Sequence, residues 1–192
     1  LRYDITSIAD LQYSEIMQYD LLAVYNDDAE QTRTEALSSW EENPHTMLLQ
    51  CSEQVGEYDV TLMVTAEPEQ LGNFITMRSR SDHTPYTLDD SGVILTEKLA
   101  NKLGVSDGDS IQIEIDDTHI VTTRVIGVVE NYAYHYAYML SDTYEKLFGQ
   151  APEFNMLLGQ YQGLDVGTEH EMAARINEND HVLPLHLQRR AG

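Results

Sequence analysis

The 192-residue chain contains a single cysteine, Cys51, so it can form no internal disulfide and no zinc site built from cysteines. Cys51 ends an apolar run that begins at Met47, and cysteine in such a run is typically buried. A catalytic thiol needs an electropositive setting, whereas Glu53 lies two residues further along the chain. The sequence therefore predicts a structural thiol rather than a nucleophile.

Basic residues are also scarce. The chain has 11 lysines and arginines against 33 aspartates and glutamates, which gives a net charge of −22. So much negative charge repels nucleic acids and anionic headgroups, and we expect no nucleic-acid partner. Two interpretations stay open: a solubilising surface on an exported domain, and a surface that attracts cationic peptides or divalent ions.

Long apolar runs and catalytic motifs are missing as well. No run approaches the roughly 18 residues that span a bilayer. The sequence has no GxSxG turn, no glycine-rich phosphate loop and no HExxH pattern among its seven histidines. Asp107-Gly108-Asp109 lacks the spaced ligands of a calcium loop and is typical of a turn. We therefore expect no catalytic residue, no cofactor and no metal, and a protein that is not an enzyme.

The most strongly patterned stretch runs from Gly92 to Gly149. Thr96 is placed to cap a short helix with apolar residues at helical spacing, and Gly104 is expected to end it in a left-handed conformation. Ser141 is placed to cap a second short helix, which Gly149 would end in the same way. The pattern predicts two helices of about two turns each.

Between these helices the pattern changes to that of a hairpin. Ile111, Ile113 and Ile115 alternate with polar residues, which is the period of a half-buried strand, so all three are expected to be buried. A turn then leads into a return strand over residues 118–129. Within it, Gly127 is predicted to mark a bulge or a close approach of another segment.

Four tyrosines alternate directly after this strand: Tyr132, Tyr134, Tyr136 and Tyr138. In an extended segment their rings share one face, and His135 lies on the other. These five residues are compatible with a stripe that contacts a partner, since tyrosine gives a large contact area at low entropy cost. They are also compatible with a junction between two subdomains, and alternating aromatics favour this second role because they are first of all a strand signal.

The two ends of the chain repeat one plan. Strands are predicted over residues 19–25 and 47–53 with a helix over 27–43 between them, and over residues 154–161 and 181–187 with a helix over 168–178 between them. Two such βαβ units predict an α+β fold, in which the four strands share one sheet and the two helices cover the same face. The predicted organisation is a split ferredoxin-like subdomain, residues 1–57 and 151–192, with an inserted, mostly β subdomain, residues 58–150.

Three segments carry a resemblance to a known family: VILTEKLANKLGVSDGDSIQI, VIGVVENY and HYAYMLSDTYEKLFG. In this order they resemble the extracytoplasmic domain of FtsX-like ABC-transporter permeases, the group that includes the MacB-like periplasmic core domain. The resemblance covers residues 92–155. It implies a domain looped out between the first two transmembrane helices of a permease, on the extracytoplasmic side of the cell membrane, and Leu1 is accordingly expected to lie within a longer chain.

The family also implies the partners and the role. The partners would be the permease's own transmembrane helices, a cytoplasmic ATP-binding subunit and a second permease. The domain would couple ATP hydrolysis in the cytoplasm to export or release of a substrate, or to control of an extracellular protein partner. The alternative is an extracellular module within a resistance transporter that binds cationic antimicrobial peptides on its acidic surface.

Overall fold

The computed structural model describes residues 12–24, 43–160 and 186–187. The helices predicted over residues 27–43 and 168–178 lie outside the described residues, as do most of the first 17 residues and both chain ends. The described part is an α+β fold built mainly from sheet.

The described residues form nine strands, three helices and one π-helical turn. The strands are β1 (Leu21–Val24), β2 (His45–Val55), β3 (Tyr58–Thr65), β4 (Val93–Thr96), β5 (Ser110–Asp116), β6 (His119–Val129), β7 (Tyr136–Leu140), β8 (Met156–Gly159) and β9 (His186–Leu187). The helices are α1 (Pro68–Phe74), α2 (Glu97–Leu103) and α3 (Ser141–Phe148). The π-helical turn is Gln12–Ile16, called the N-terminal turn below.

Six of the strands close into a barrel, in the order β2-β3-β7-β4-β6-β5 and back to β2. Two neighbouring pairs are parallel, β3 with β7 and β4 with β6, and the others are antiparallel. The last contact of the ring is narrow, because β5 pairs with β2 only where Glu114 lies opposite Gln54. The sequence predicts that residues 58–150 are mostly β, but it does not predict that the strands close into a barrel, since the period of a strand does not specify which strands it pairs with.

β2 also belongs to a second group of strands. Residues 45–48 pair with β8, which continues the sheet through β1 to β9 with every neighbour antiparallel. All four terminal strands predicted from the sequence therefore lie in one sheet, and the predicted boundary at residue 57 falls at the turn between β2 and β3. β2 connects this sheet to the barrel wall through a continuous backbone.

The side chain of Asn155 pairs with the edge of β2, between the residues of β2 that pair with β8 and the residue that pairs with β5. The Asn155 carboxamide accepts a hydrogen bond from the Gln50 backbone N–H at 2.7 Å and donates one to the Gln50 carbonyl at 2.8 Å. β8 pairs with β2 only as far as Leu48, and β5 pairs with it at Gln54. Asn155 thus satisfies backbone groups that the gap between β8 and β5 would otherwise leave unpaired.

Alternate residues of the barrel strands enter two separate cores. The interior core takes residues from all six barrel strands, with Leu99 of α2 and Tyr144 of α3. The outer core lies on the opposite face of the barrel wall and includes Met17, Phe74 and Met156. Neighbours such as Leu62 and Met63 therefore face opposite sides, as the period of a strand requires.

Several local predictions are confirmed. α2 ends at Gly104 and α3 at Gly149, both in the left-handed conformation with φ of 68° and 77°. The pairing of β4 with β6 shifts register opposite Gly127, and a Cβ on Gly127 would lie 2.6 Å from Cδ1 of Tyr86. Gly127 therefore marks both a bulge and a close approach.

Three local predictions are wrong. Ile115 is partly exposed, whereas Ile111 and Ile113 are buried, because the hairpin extends beyond the pairing of Glu114 with Gln54. Thr96 occupies the N-cap position of α2 but makes no side-chain capping bond. The N-cap of α3 is Leu140, so Ser141 is the first helical residue rather than the cap. For both helices the sequence pattern predicts where the helix starts, but it wrongly predicts a side-chain hydrogen bond that caps the helix.

Candidate functional site: the tyrosine stack and the polar junction

Three of the four alternating tyrosines form a stack, Tyr134, Tyr136 and Tyr138. The rings of Tyr134 and Tyr136 are nearly parallel, with centroids 4.9 Å apart, and the ring of Tyr136 meets that of Tyr138 edge to face at 6.0 Å. Tyr138 is fully buried in the outer core, and the other two are half-buried against it. The tyrosine stack therefore runs from the protein surface into the outer core.

The Thr96 hydroxyl holds the backbone of the stack in place. It accepts a hydrogen bond from the Tyr136 N–H at 3.0 Å and donates one to the Tyr134 carbonyl at 2.8 Å. This use of the hydroxyl explains why it does not cap α2. Because the segment before Tyr136 is irregular, the hydroxyl supplies the hydrogen bonds that a neighbouring strand would supply.

Burial raises the pKa of the tyrosine phenols. The pKa of Tyr138 is raised well above its ordinary value by burial and by the neighbouring phenols Tyr136 and Tyr19, and burial likewise raises the pKa of Tyr136. Among the described residues the Tyr138 hydroxyl has no hydrogen-bond partner. Both phenols therefore stay neutral at physiological pH and act by packing.

Tyr132 lies apart from the stack. Its hydroxyl donates a hydrogen bond to the Glu130 carboxylate, and its pKa is raised by burial and by that carboxylate. His135 is exposed, and its pKa is lowered by partial burial and by Lys102 and Lys98. The structure thus brings Tyr134, Tyr136 and Tyr138 together and separates Tyr132 and His135 from them.

A cluster of polar side chains lies beside the stack and connects the N-terminal turn to the barrel; we call it the polar junction. Its residues are Gln12, Glu15, Arg78, Glu130 and Asn131. The Arg78 guanidinium donates from Nε to Glu130 at 2.7 Å and from Nη2 to Glu15 at 2.6 Å. Glu130 is only 3% exposed, so Arg78 compensates a carboxylate that has left water.

The second part of the polar junction consists of the side-chain amides of Gln12 and Asn131, which also form several hydrogen bonds. The Gln12 side chain donates to Asn131 Oδ1 at 3.2 Å and accepts from the Tyr132 N–H at 2.8 Å. Asn131 Oδ1 also accepts the N–H groups of Ala133 and Tyr134, each at 3.0 Å. These bonds fix the start of the tyrosine segment against the N-terminal turn.

Electrostatics keep Arg78 charged in this setting. Burial by itself lowers the pKa of Arg78, but its hydrogen bonds to Glu15 and Glu130 outweigh that effect and raise it. The guanidinium is therefore a permanent cation between two carboxylates. Its two ion pairs join segments 52 and 63 residues apart in sequence, which no local pattern could reveal.

The single thiol lies in the barrel wall and packs against the interior core. Burial, and to a lesser extent the carboxylate of Glu53, raise the pKa of Cys51 to about 11. The thiol is thus protonated at neutral pH and is a poor nucleophile. Within the part of the chain that the structure describes, no group of histidine, cysteine and carboxylate side chains has the arrangement of a metal site.

No helix among the described residues combines the length and the apolar character that crossing a membrane requires.

No family model matches the sequence, and no curated protein matches it in sequence. Solved structures do share its fold. The periplasmic region of MacB from Actinobacillus actinomycetemcomitans is 13% identical and superposes with a TM-score of 0.52, over 96% of this chain and 93% of that one. The extracellular domain of the noncanonic ABC-type transporter YknZ from Gram-positive bacteria is 15% identical, with a TM-score of 0.51 over 89% of this chain and 99% of that one. The resemblance found in the sequence is confirmed at the level of the fold.

Proposed function

We propose that this chain is the extracytoplasmic domain of an FtsX-like ABC-transporter permease, and that it acts by contacts and motion rather than by catalysis. One observation carries the proposal: the fold agrees with the periplasmic region of MacB over almost the full length of both chains. The residue order over 92–155 supports the same family independently. A cytoplasmic ATP-binding subunit, the permease's own membrane helices and a second permease would complete the transporter.

In this role the domain must pass a displacement from membrane helices to its outer surface. Two features support such transmission. β2 belongs both to the barrel and to the sheet with β8, and the polar junction ties the N-terminal turn to the barrel. Because packed elements and paired strands deform little, a shift of residues 12–24 would move the barrel with it. ATP hydrolysis would thereby be coupled to export or release of a substrate, or to control of an extracellular partner.

We propose further that the domain has two parts, as the sequence predicts. Residues 1–57 and 151–192 would form the split ferredoxin-like part, and residues 58–150 the inserted part. The order β2-β8-β1-β9 with antiparallel neighbours is the order that two interleaved βαβ units need. The tyrosine stack would join the parts, since Tyr138 lies in the same core as Met17 and Met156.

The location can be tested with a cysteine in place of Ile120, an exposed large apolar residue of the described part of the chain. Ile120 on β6 is 59% exposed, so Ile120→Cys in a Cys51→Ala background should react with a membrane-impermeant maleimide in intact cells that make the parent permease. Where an outer membrane is present it is first permeabilised. Val64→Cys, buried in the interior core, is the control that should stay unlabelled. Labelling of Ile120→Cys only after lysis would contradict the proposed location.

A second candidate function is favoured by the charge. With a net charge of −22, the domain would attract cationic peptides to its surface, as expected of a binding module in a resistance transporter. This function would use the same domain in the same place, and it makes a different prediction about salt.

A further inference from the structure

The segment that precedes β1 crosses the outer core without belonging to a strand; we call residues 12–19 the strap. It begins with the N-terminal turn, and three of its side chains, Ile16, Met17 and Tyr19, are buried in the outer core. Its backbone meets the chain that follows α1 at one isolated bridge, with Met17 opposite Ile75. The strap is therefore attached to the rest of the domain chiefly through side chains.

Two backbone hydrogen bonds hold the middle of the strap. The Gln18 N–H donates to the Phe74 carbonyl at 2.7 Å, and the Thr76 N–H donates to the Ile16 carbonyl at 2.8 Å. By comparison, β2 pairs with β3 without interruption over residues 48–55. Because segments with few backbone bonds open at a lower free energy than fully paired strands, the strap can open while the barrel stays intact.

Polar side chains hold the strap at both ends. At the first end lies the polar junction. At the other end the side-chain nitrogen of Gln160 donates to the Gln18 carbonyl at 2.6 Å and to the Asn73 carbonyl at 2.9 Å; we call this the glutamine contact. The Gln160 backbone N–H donates to the Pro44 carbonyl at 3.0 Å. One buried carboxamide thus joins the strap, the end of α1 and the chain before β2 to the end of β8.

Two features oppose this docked arrangement of the strap. In the N-terminal turn the Met17 N–H donates to the Gln12 carbonyl at 2.9 Å, five residues back, and such π-helical turns are rare. The fully buried Tyr138 hydroxyl has no hydrogen-bond partner among the described residues, and the Tyr19 phenol lies close enough to help raise the pKa of Tyr138. A buried hydroxyl without a partner costs free energy, which water entering beside Tyr19 would restore.

We propose that the strap docks and detaches as one unit, and that it stays docked only while the polar junction and the glutamine contact both hold. The buried side chains of Ile16 and Met17 lie between the two contacts, so water that enters at either end removes the burial that holds the other. The meaning of this device rests on the proposed function. A docked strap would pass a displacement of the chain before it to the barrel, whereas a detached strap would not, which makes the coupling all-or-none.

The first test follows hydrogen exchange of single amides by NMR in the 192-residue domain at low urea concentrations. The reporters are the N–H groups of Gln18, Thr76 and Tyr132, which are bonded across the two ends and the middle of the strap. The reference is the buried Val125 N–H of β6. We expect the reporters to share one opening free energy and one urea dependence, both smaller than those of Val125. Reporters that match Val125 would show that the strap opens only on global unfolding, and they would overturn the proposal.

The second test removes one contact at a time. Gln160→Leu deletes the donor to two buried carbonyls and should speed exchange of all three reporters by one factor, roughly thirtyfold. Arg78→Gln, at the other end, should also speed all three alike. Gln112→Leu at an exposed position of β5 is the matched control and should change each rate by less than about twofold. If Gln160→Leu speeds exchange at Gln18 but not at Tyr132, the ends open independently and the proposal is wrong.

Both tests use the domain alone, so their outcome is independent of the labelling experiment that tests the location. The first test needs no variant and decides the matter even if Gln160→Leu does not fold. A shared, low opening free energy together with equal acceleration at both ends of the strap is the result expected.

Discussion

At the scale of single residues, two glycines determine how closely neighbouring segments approach the barrel wall. A Cβ on Gly92 would lie 2.1 Å from the carbonyl oxygen of Arg124, and one on Gly127 would press on the ring of Tyr86. A tyrosine ring can shift, whereas the backbone of β6 is held by strands on both sides. Glycine is therefore required more strictly at position 92 than at position 127.

Gly92→Ala is expected to lower the free energy of unfolding by roughly 3 kcal/mol, because the added methyl group must displace the backbone of β6. Gly72→Ala is the control, since a Cβ there meets nothing within 4 Å and the residue lies in α1. Alanine is the better helix former, so this second change should add up to about 1 kcal/mol. Urea unfolding measures both values. Equal stability of the two variants would contradict the close contact at Gly92.

The raised pKa of Cys51 predicts how its reactivity depends on pH. Because thiolate forms only near pH 11, rather than near the ordinary value of 9.0, the rate of alkylation by iodoacetamide should still rise about tenfold per pH unit between pH 8 and 10. A free cysteine in a model peptide would level off within that range. Circular dichroism at each pH verifies that the domain stays folded. A rate that levels off near pH 9 would show that the thiol is neither buried nor influenced by Glu53.

At the scale of elements, the alternation along β5 separates a core strand from a protruding hairpin. Ile113 is fully buried in the interior core, whereas Ile115 is partly exposed. Among the described strands, none pairs with the hairpin beyond Glu114 on the β2 side. Two isoleucines of one alternating pattern, Ile113 and Ile115, are therefore expected to contribute differently to stability.

Ile113→Asp should destabilise the domain by about 4 kcal/mol, since a charge would be buried without a partner. Ile115→Asp, the control, should cost about 1 kcal/mol, because its carboxylate reaches water. Thermal and urea unfolding measure both. If the two variants unfold at the same temperature and the same urea concentration, the strand faces are assigned wrongly.

The polar junction is the element-scale contact that connects the N-terminal turn to the barrel. Arg78→Gln leaves the buried Glu130 carboxylate without its cation and should cost about 3 kcal/mol in urea unfolding. Arg80→Gln is the control. The side chain of Arg80 is 59% exposed, and its ion pair with Glu97 joins two residues of the range 58–150 and does not involve the N-terminal turn. That change should stay within about 0.5 kcal/mol. A similar cost for both would contradict the assigned role of Arg78.

The junction variants also bear on coupling. If the domain belongs to a permease, as we propose, Arg78→Gln in the intact transporter is expected to reduce transport while basal ATP hydrolysis by the partner subunit continues, because the connection to the barrel is weakened. Arg80→Gln should transport normally. Full transport by a folded Arg78→Gln permease would show that the junction stabilises the domain without transmitting motion.

At the scale of the whole molecule, the net charge of −22 is the dominant property. If the domain captures cationic peptides, decalysine should bind it at low salt, and the affinity should fall steeply as salt rises to about 0.15 M, where the Debye length is about 8 Å. Decaglutamine is the uncharged control. Binding that ignores salt, or no binding, would leave the charge with a role in solubility only.

Much of the fold could be predicted from local pattern. The ends of α2 and α3, the β5–β6 hairpin and the four terminal strands follow from periodicity and from glycines in the left-handed conformation, which depend on residues only a few positions apart. The tyrosine segment was recognisable for the same reason. Its alternation predicts a shared face; the rings of Tyr134 and Tyr136 stack, and that of Tyr138 meets Tyr136 edge to face.

Closure of the barrel, the double role of β2 and the polar junction could not be predicted in this way. Glu114 meets Gln54, Arg78 meets Glu130, and Gln12 meets Asn131 across separations of up to 119 residues, and no local spacing encodes which polar groups will meet. The same holds for the Thr96 hydroxyl, which bonds to the tyrosine segment instead of its own helix. Short-range pattern specifies the elements, whereas hydrogen bonding and burial between distant segments specify how those elements meet.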